Sequence, residues 1–185
     1  MQPLWQSIET LRGGVNTDMI QSFDSMILEF IQTDLRSDFL DTTMPYITRL
    51  GNGGLIWIIA ALAFLKSSLY RTDGMLLAGT LLSCVFIGNL ILKPIVRRIR
   101  PCGNDATVPL LIRRPKDYSF PSGHTMSSFA AAVVIFHASL VMGIAAYLVA
   151  SLIAFSRLYL YVHYPSDIIV GIILGSAIST AVIFL

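Results

Sequence analysis

Five long runs of mostly apolar residues follow one another along the chain from residue 54 onward. They cover residues 54–70, 75–96, 123–139, 140–161 and 168–185, and each approaches the ~20 residues that a helix needs to cross a bilayer. The first 50 residues lack the features of a secretory signal, so we expect all five runs to stay in the mature protein. The pattern predicts an all-α fold, a polytopic transmembrane helical bundle with five spans.

A different pattern precedes the first run. Apolar residues recur at helical spacing, with polar residues mostly on the opposite face. The apolar set is Ile20, Phe23, Ile27, Phe30 and Ile31, and the polar set is Asp24, Ser25, Glu29 and Gln32. We predict an amphipathic helix, either lying on the membrane surface as a guide for lipid or packed against the end of the bundle. The second is favoured because surface helices that bind anionic lipid are usually basic.

The composition agrees with a membrane protein, because 55% of the residues are hydrophobic and only 13% are charged. We therefore expect two parts, an acidic amphipathic segment over residues 1–50 and a membrane-embedded core over residues 51–185, in the plasma or inner membrane. Seven of the eleven acidic residues precede residue 42, whereas eleven of the thirteen basic residues follow it. This positive core predicts an anionic ligand, not nucleic acid but a lipid of the bilayer. Cys84 and Cys102 are predicted to be free thiols.

The alternation of spans brings distant residues together. The end of span two, the start of span three, the end of span four and the start of span five must share one membrane face. Ionisable residues at a bilayer edge are costly and usually functional, so we expect one site there. The residues at these four places are Lys93 and Arg100, then Ser122, Gly123 and His124, then Arg157, then His163 and Asp167.

The cations of this set suit a phosphoryl group. Lys93, Arg100 and Arg157 supply positive charge, and the two arginines offer planar forks that match phosphate oxygens in pairs. Ser122 and Gly123 open span three, so free backbone amides and the positive end of the helix point to the same place. The sequence therefore predicts an anion-binding cradle.

Two histidines complete the predicted chemistry. His163 and Asp167 are four residues apart, so on a helical turn the carboxylate can fix the tautomer of the ring and support its positive charge. Such an imidazole is a good nucleophile. His124 comes from a different helix and is free to donate a proton to a leaving alkoxide. His137 falls at the far end of span three, and we assign it no role.

Three segments carry a family resemblance: residues 93–101 (KPIVRRIRP), 121–124 (PSGH) and 156–167 (SRLYLYVHYPSD). They resemble the three-part signature of the type 2 phosphatidic acid phosphatases, the lipid phosphate phosphatases related to vanadium haloperoxidases. The resemblance implies that His163 attacks phosphorus and forms a phosphohistidine, that Asp167 orients it, and that His124 protonates the departing oxygen and then activates water. The residues implied to bind phosphate are Lys93, Arg100, Ser122, Gly123 and Arg157. No metal or cofactor is implied, and vanadate should inhibit.

Alternatives use the same residues. Two histidines and an aspartate can bind zinc, but three nearby cations would repel a divalent ion. The haloperoxidase relatives are soluble proteins, unlike this chain. A catalytically inactive protein that binds or transports lipid phosphates is a third alternative. A transporter would be expected to have polar or broken helices in mid-membrane. Between residues 75 and 92 the plainly polar residues are only Thr80, Ser83 and Asn89, which argues against a transporter.

We therefore predict a membrane phosphatase with its pocket at one membrane surface, open sideways to lipid. The expected substrate is a lipid diphosphate, undecaprenyl diphosphate first, with phosphatidylglycerophosphate and phosphatidic acid as alternatives. The resemblance implies a site on the periplasmic or extracellular side. The positive-inside rule would place the basic loop over residues 97–121 in the cytoplasm, but residues predicted to bind phosphate contribute to that count.

Overall fold

The computed structural model describes residues 16–105 and 107–185, and within these ranges the chain is helical with no β-strand. This confirms the predicted all-α class. The α-helices are α1 (Asn16–Thr33), α2 (Asp38–Leu50), α3 (Leu55–Lys66), α4 (Arg71–Cys84), α5 (Lys93–Val96), α6 (Pro101–Asn104), α7 (Gly123–Ala138), α8 (Leu140–Tyr159) and α9 (Pro165–Phe184). A 3-10 turn (Asn52–Gly54) joins α2 to α3, and a π-helical segment (Val85–Leu92) joins α4 to α5.

Three helical stretches of the described chain are long and apolar enough to cross a membrane: Arg71–Asn104, Leu140–Tyr159 and Pro165–Phe184. The pair Asp38–Leu50 and Asn52–Lys66, which is bent by 45°, passes the same test when taken as one span. Helix α7 falls short because it has 16 residues, or about 24 Å at 1.5 Å per residue. The multi-pass helical architecture is confirmed with three to four candidate spans, and the fifth span stays a prediction.

Helix α7 lies at the centre and packs against α4, α8 and α9. The side chains of its middle turns are small and fully buried, with Ala130, Ala131 and Ala132 at 0% exposure. Helix α9 approaches α7 closely at Gly175, where an added Cβ would lie 2.2 Å from the carbonyl oxygen of Met126. At the start of α9, the backbone N–H of Ser122 donates to the carbonyl oxygen of Asp167 at 3.2 Å, which joins the first turns of α9 and α7.

Helix α1 contacts the ends of α8 and α9, but its faces differ from the prediction. Asp24 is buried together with Leu28, although the sequence pattern predicts Asp24 on the polar face. Of the predicted apolar face, Ile31 is buried and Ile27 packs beside it, whereas Phe23 and Phe30 are 40% and 53% exposed. The reason is electrostatic: Asp24 forms an ion pair with Arg98 at 2.6 Å, which offsets the cost of burying its charge.

Candidate active site

A cavity of about 1200 Å³ lies between the 3-10 turn, helices α3 and α4, the π-helical segment and the loop before α7. One end is apolar, lined by residues such as Ile58, Leu62, Leu65, Leu82 and Val85. The other end is polar. It is lined by six of the eight residues predicted from the sequence, namely Lys93, Arg100, Gly123, His124, Arg157 and His163. The other two, Ser122 and Asp167, are fully buried directly behind this end.

The imidazole of His163 lies in the turn between α8 and α9 and is 1% exposed. Its Nδ1 is 3.4 Å from Oδ2 of Asp167, and its Nε2 is 2.8 Å from Nη1 of Arg100. Because a guanidinium only donates hydrogen bonds, Nε2 must be the acceptor, which places the proton on Nδ1 facing the carboxylate. The lone pair of Nε2 therefore points toward the cations of the cavity.

The pKa of His163 is held well below its usual value by burial and then by the positive charges of Arg100 and Arg157. The ring is therefore neutral at physiological pH, and Nε2 keeps the electron pair that a nucleophile needs.

Arg100 is buried, and its guanidinium is held by acceptors on every side. Nη1 donates to the carbonyl oxygen of Val162 at 2.7 Å, Nη2 to Oδ1 of Asp117 at 2.9 Å and to the carbonyl oxygen of Tyr118 at 3.1 Å. The ammonium of Lys93 pairs with the other oxygen of Asp117. One carboxylate thus bridges two of the three predicted phosphate-binding cations.

Asp117 is a residue that sequence reasoning missed. Burial alone would raise its pKa, but hydrogen bonds and charges from Lys93 and Arg100 outweigh that and lower the pKa to about 2. The carboxylate is therefore ionised at neutral pH. The available signal was an acid directly after a run of basic residues, Arg113, Arg114 and Lys116, and only four residues before the PSGH motif.

Arg157 lies in the last turn of α8 and is 3% exposed. Its Nη1 donates to Oγ1 of Thr48 at 2.6 Å, so α2 holds it in place. Its Nε is buried and has no hydrogen-bond partner among the described residues. Buried donors are normally paired, so an orphaned guanidinium N–H beside the cavity fits an anionic ligand.

The start of α7 completes the polar end. Ser122 caps the helix, with Oγ 3.5 Å from the backbone N of Thr125. A Cβ added at Gly123 would crowd Oδ1 of Asn89 at 3.3 Å, and it would lie 4.0 Å from Nζ of Lys93, which places the start of the helix next to this lysine. The cradle predicted from the sequence therefore has its cation beside the amides.

The ring of His124 reaches the same cavity from α7. Its Nε2 is 2.9 Å from Oδ1 of Asn52 in the 3-10 turn, a partner that sequence reasoning also missed. Gly51 leaves room for the ring, because a Cβ there would lie 2.9 Å from Cδ2 of His124. His124 and His163 thus line one cavity from two different helical elements.

Residues outside this set lie elsewhere. His137 is at the other end of α7, with Nδ1 3.1 Å from Oδ1 of Asp73, and it does not line the cavity. Cys84 and Cys102 are both free and buried, as predicted. Within residues 16–105 and 107–185, no three His, Cys, Asp or Glu side chains are grouped as a metal site would require.

Comparisons with known proteins show which family the chain belongs to. Residues 73–184 match the model of the PAP2 superfamily. The chain is 31% identical over 141 residues to an undecaprenyl-diphosphatase of Sulfolobus acidocaldarius, covering 76% of this chain and 68% of that protein.

Two crystal structures resemble the fold. The transmembrane PAP2 type phosphatidylglycerolphosphate phosphatase from Bacillus subtilis is 26% identical, with a TM-score of 0.74 over 98% of this chain and 92% of that one. LpxE of Aquifex aeolicus is also 26% identical, with a TM-score of 0.76 over 88% of this chain and 95% of that one. These matches confirm the predicted enzyme class, a phosphatase acting on lipid phosphates, and the chain belongs to the PAP2 superfamily.

Proposed function

We propose that this protein hydrolyses a polyprenyl diphosphate, such as undecaprenyl diphosphate, through a phosphohistidine formed on His163. The observation that carries this is one continuous cavity with Nε2 of His163 among cations at one end and aliphatic side chains at the other. A headgroup fits the polar end while its tail lies along α3 and α4 toward the bilayer. The undecaprenyl-diphosphatase from Sulfolobus supports a polyprenyl substrate. Phosphatidylglycerophosphate and phosphatidic acid are the alternatives, the first supported by the Bacillus structure.

In the proposed first step, the terminal phosphoryl group binds Lys93, Arg100 and Arg157, and Nε2 of His163 attacks phosphorus. The bond from phosphorus to the leaving oxygen breaks as the N–P bond forms, and His124 donates a proton to that oxygen. Asp167 stabilises the positive ring through Nδ1–H. Phosphate contacts of this kind are worth about 3 kcal/mol each in the transition state.

In the second step, His124 removes a proton from a water molecule whose oxygen attacks phosphorus. The N–P bond breaks, its electron pair returns to Nε2 of His163, and inorganic phosphate leaves. Entry of a substrate also requires a rearrangement, because the phosphoryl group must displace the carboxylate of Asp117 from Lys93 and Arg100. Phosphorus must also take the place of Nη1 of Arg100 on Nε2 of His163.

We also propose that the chain crosses the membrane five times, with α7 as a short central pass, and that the cavity opens on the periplasmic or extracellular side. A cysteine at exposed Thr107 tests the orientation, since both natural cysteines are buried. We expect a membrane-impermeant maleimide to label Thr107→Cys in intact cells. Labelling only after permeabilisation would place the site in the cytoplasm.

The activity is tested with purified protein, a panel of lipid phosphates and a chelator in every assay. We expect turnover with the chelator present, and His163→Ala to lower kcat by about a thousandfold or more, as loss of a nucleophile does. His137→Ala is the matched control and should keep full activity, because this histidine lies outside the cavity. Turnover by His163→Ala at the wild-type rate would refute the mechanism, and activity only on water-soluble phosphates would refute the substrate class.

A further inference from the structure

We propose that Arg98 and Asp24 are positioning residues for His163, acting through Asp167, so that the N-terminal helix α1 is part of the catalytic assembly. The proposal rests on the proposed function, in which His163 is the nucleophile. Neither residue belongs to the set predicted from the sequence to act on phosphate.

Asp167 is fully buried, and its two oxygens face different partners. Oδ2 accepts the backbone N–H of Tyr164 at 2.9 Å and lies 3.4 Å from Nδ1 of His163. Oδ1 accepts Nη1 of Arg98 at 2.8 Å. Arg98 is thus the cation paired with this buried carboxylate, and its position decides how Oδ2 is aimed at the histidine ring.

Arg98 is in turn held from three directions. Its Nη2 donates to Oδ2 of Asp24 at 2.6 Å, and its Nη1 donates to Oγ of Ser166 at 2.7 Å. Its guanidinium carbon lies 4.0 Å from the ring centroid of Tyr164, a cation–π contact. The planar fork therefore clamps two carboxylates that come from α1 and α9, which a lysine cannot do with the same geometry.

Asp24 is the anchor at the far end. It is 1% exposed, and besides Arg98 it accepts the backbone N–H of Ser166 at 2.8 Å and its hydroxyl at 2.6 Å. These bonds tie α1 to the first turn of α9, next to the oriented carboxylate. A buried aspartate held by three such hydrogen bonds has a defined place, so a change at Asp24 shifts Arg98.

Neither Arg98 nor Asp24 lines the cavity that contains His163; both line a second cavity of about 780 Å³ beside α1. They cannot contact the phosphoryl group from there. Their effect must pass through Asp167 to the His163 ring, which is the reason for calling them positioning residues.

The test compares Arg98→Gln, Arg98→Lys and Asp24→Asn with two matched controls. Arg97→Gln changes the adjacent, exposed arginine, and Glu29→Gln changes an exposed acid on the same helix as Asp24. We expect Arg98→Gln to lower kcat by about 10- to 100-fold, the usual range for groups that orient a ligating or reacting histidine, with KM within about twofold. Arg98→Lys should fall between wild type and Arg98→Gln. Both controls should match wild type.

The double variant of Asp24 and Arg98 distinguishes a positioning role from a simple loss of folded protein. Asp24→Asn should lower kcat by itself but add little in an Arg98→Gln background, because Asp24 acts through Arg98. Folded sites are counted by the stoichiometry of vanadate binding in calorimetry, and kcat is expressed per site. Equal kcat per site in wild type, Asp24→Asn and Arg98→Gln would overturn the proposal, and so would fully additive effects of the two substitutions.

The affinity for vanadate is measured as well, because it tests the positioning role independently of whether the proposed lipid phosphatase activity is found. Because bound vanadate would bond to Nε2 of His163, Arg98→Gln should weaken vanadate binding even if no lipid in the panel is hydrolysed. A wild-type protein without lipid phosphatase activity would refute the proposed function alone. Unchanged vanadate affinity in Arg98→Gln would refute the positioning role.

Discussion

Replacement of Asp117 by asparagine tests whether this carboxylate competes with an incoming anion for Lys93 and Arg100. The carboxylate pairs with Lys93 and with Arg100, the latter at 2.9 Å, so it occupies the positions that the phosphoryl group takes in the proposed mechanism. The substitution keeps the size of the side chain and removes its charge. We expect Asp117→Asn to bind vanadate and inorganic phosphate more tightly than wild type, because the incoming anion no longer competes with a carboxylate.

The expected change in the inhibition constant follows from the solvent exposure of the Asp117 side chain. The side chain of Asp117 is 52% exposed, so each of its two ion pairs has the strength of a surface pair, about 0.2–1 kcal/mol. Two pairs together give roughly 0.5–2 kcal/mol, and at about 1.4 kcal/mol per tenfold the inhibition constant should fall by about 2- to 30-fold. The pKa of Asp117 is lowered to about 2, so the group stays ionised from pH 5.5 to 8.5 and the ratio of the two inhibition constants should be constant there.

The assay is competitive inhibition of lipid phosphate hydrolysis by orthovanadate, for wild type and variant in the same detergent. Asp105→Asn is the control, since Asp105 bonds to Thr107 in the same loop and contacts neither cation. An inhibition constant that is unchanged or higher in Asp117→Asn would refute the competition argument. A ratio that changes between pH 5.5 and 8.5 would refute the assigned ionisation.

Two further predictions concern stability. Gly175→Ala should lower the unfolding midpoint, because the added Cβ would lie 2.2 Å from a backbone oxygen of α7. Gly79→Ala is the control and should be neutral or stabilising, because no atom lies within 4 Å of a Cβ added there. Equal midpoints for the two variants would contradict the close packing of α9 on α7. The pKa of His163 is lower in the folded protein than in the unfolded chain, so its contribution to stability is present above about pH 6.5 and is lost as the pH falls below it. The midpoint of wild type should therefore fall more between pH 7.5 and 5.5 than that of His163→Gln, and identical falls would contradict the shift.

The residues that carry the signature motifs were predictable because their placement depends on little more than the alternation of spans. Each lies within a few residues of a helix end, and six of the eight line one cavity while the other two are buried beside it. His163 and Asp167 are also close in sequence, so their contact needs only the short turn that leads from His163 into the first turn of α9.

Their supporting partners were not predictable in the same way. Thr48 and Arg157 are 109 positions apart, and Asp24 and Ser166 are 142 apart. Such contacts depend on the paths of loops, for which no periodic pattern exists. The burial of Asp24 on α1 was missed for the same reason, because apolarity alone cannot reveal that an aspartate will be buried against a distant arginine.

The number of spans illustrates a further limit. Apolar length predicts a membrane pass well when a helix faces lipid. Helix α7 is short and surrounded by other helices, so its 16 residues are governed by packing with α8 and α9 more than by bilayer thickness. The structure accordingly gives three to four candidate spans by length and composition.

The most direct measurement is identification of the phosphorylated residue. Lipid diphosphate labelled in its terminal phosphate is mixed with His124→Asn, because loss of the base should slow hydrolysis of the phosphoenzyme. The reaction is then quenched in alkali, and the peptides are analysed by mass spectrometry. We expect an acid-labile, alkali-stable phosphoryl group on His163 that is missing when His163 is replaced by alanine. Label on another residue, or hydrolysis of the substrate with no covalent intermediate under any condition of quenching, would contradict the account.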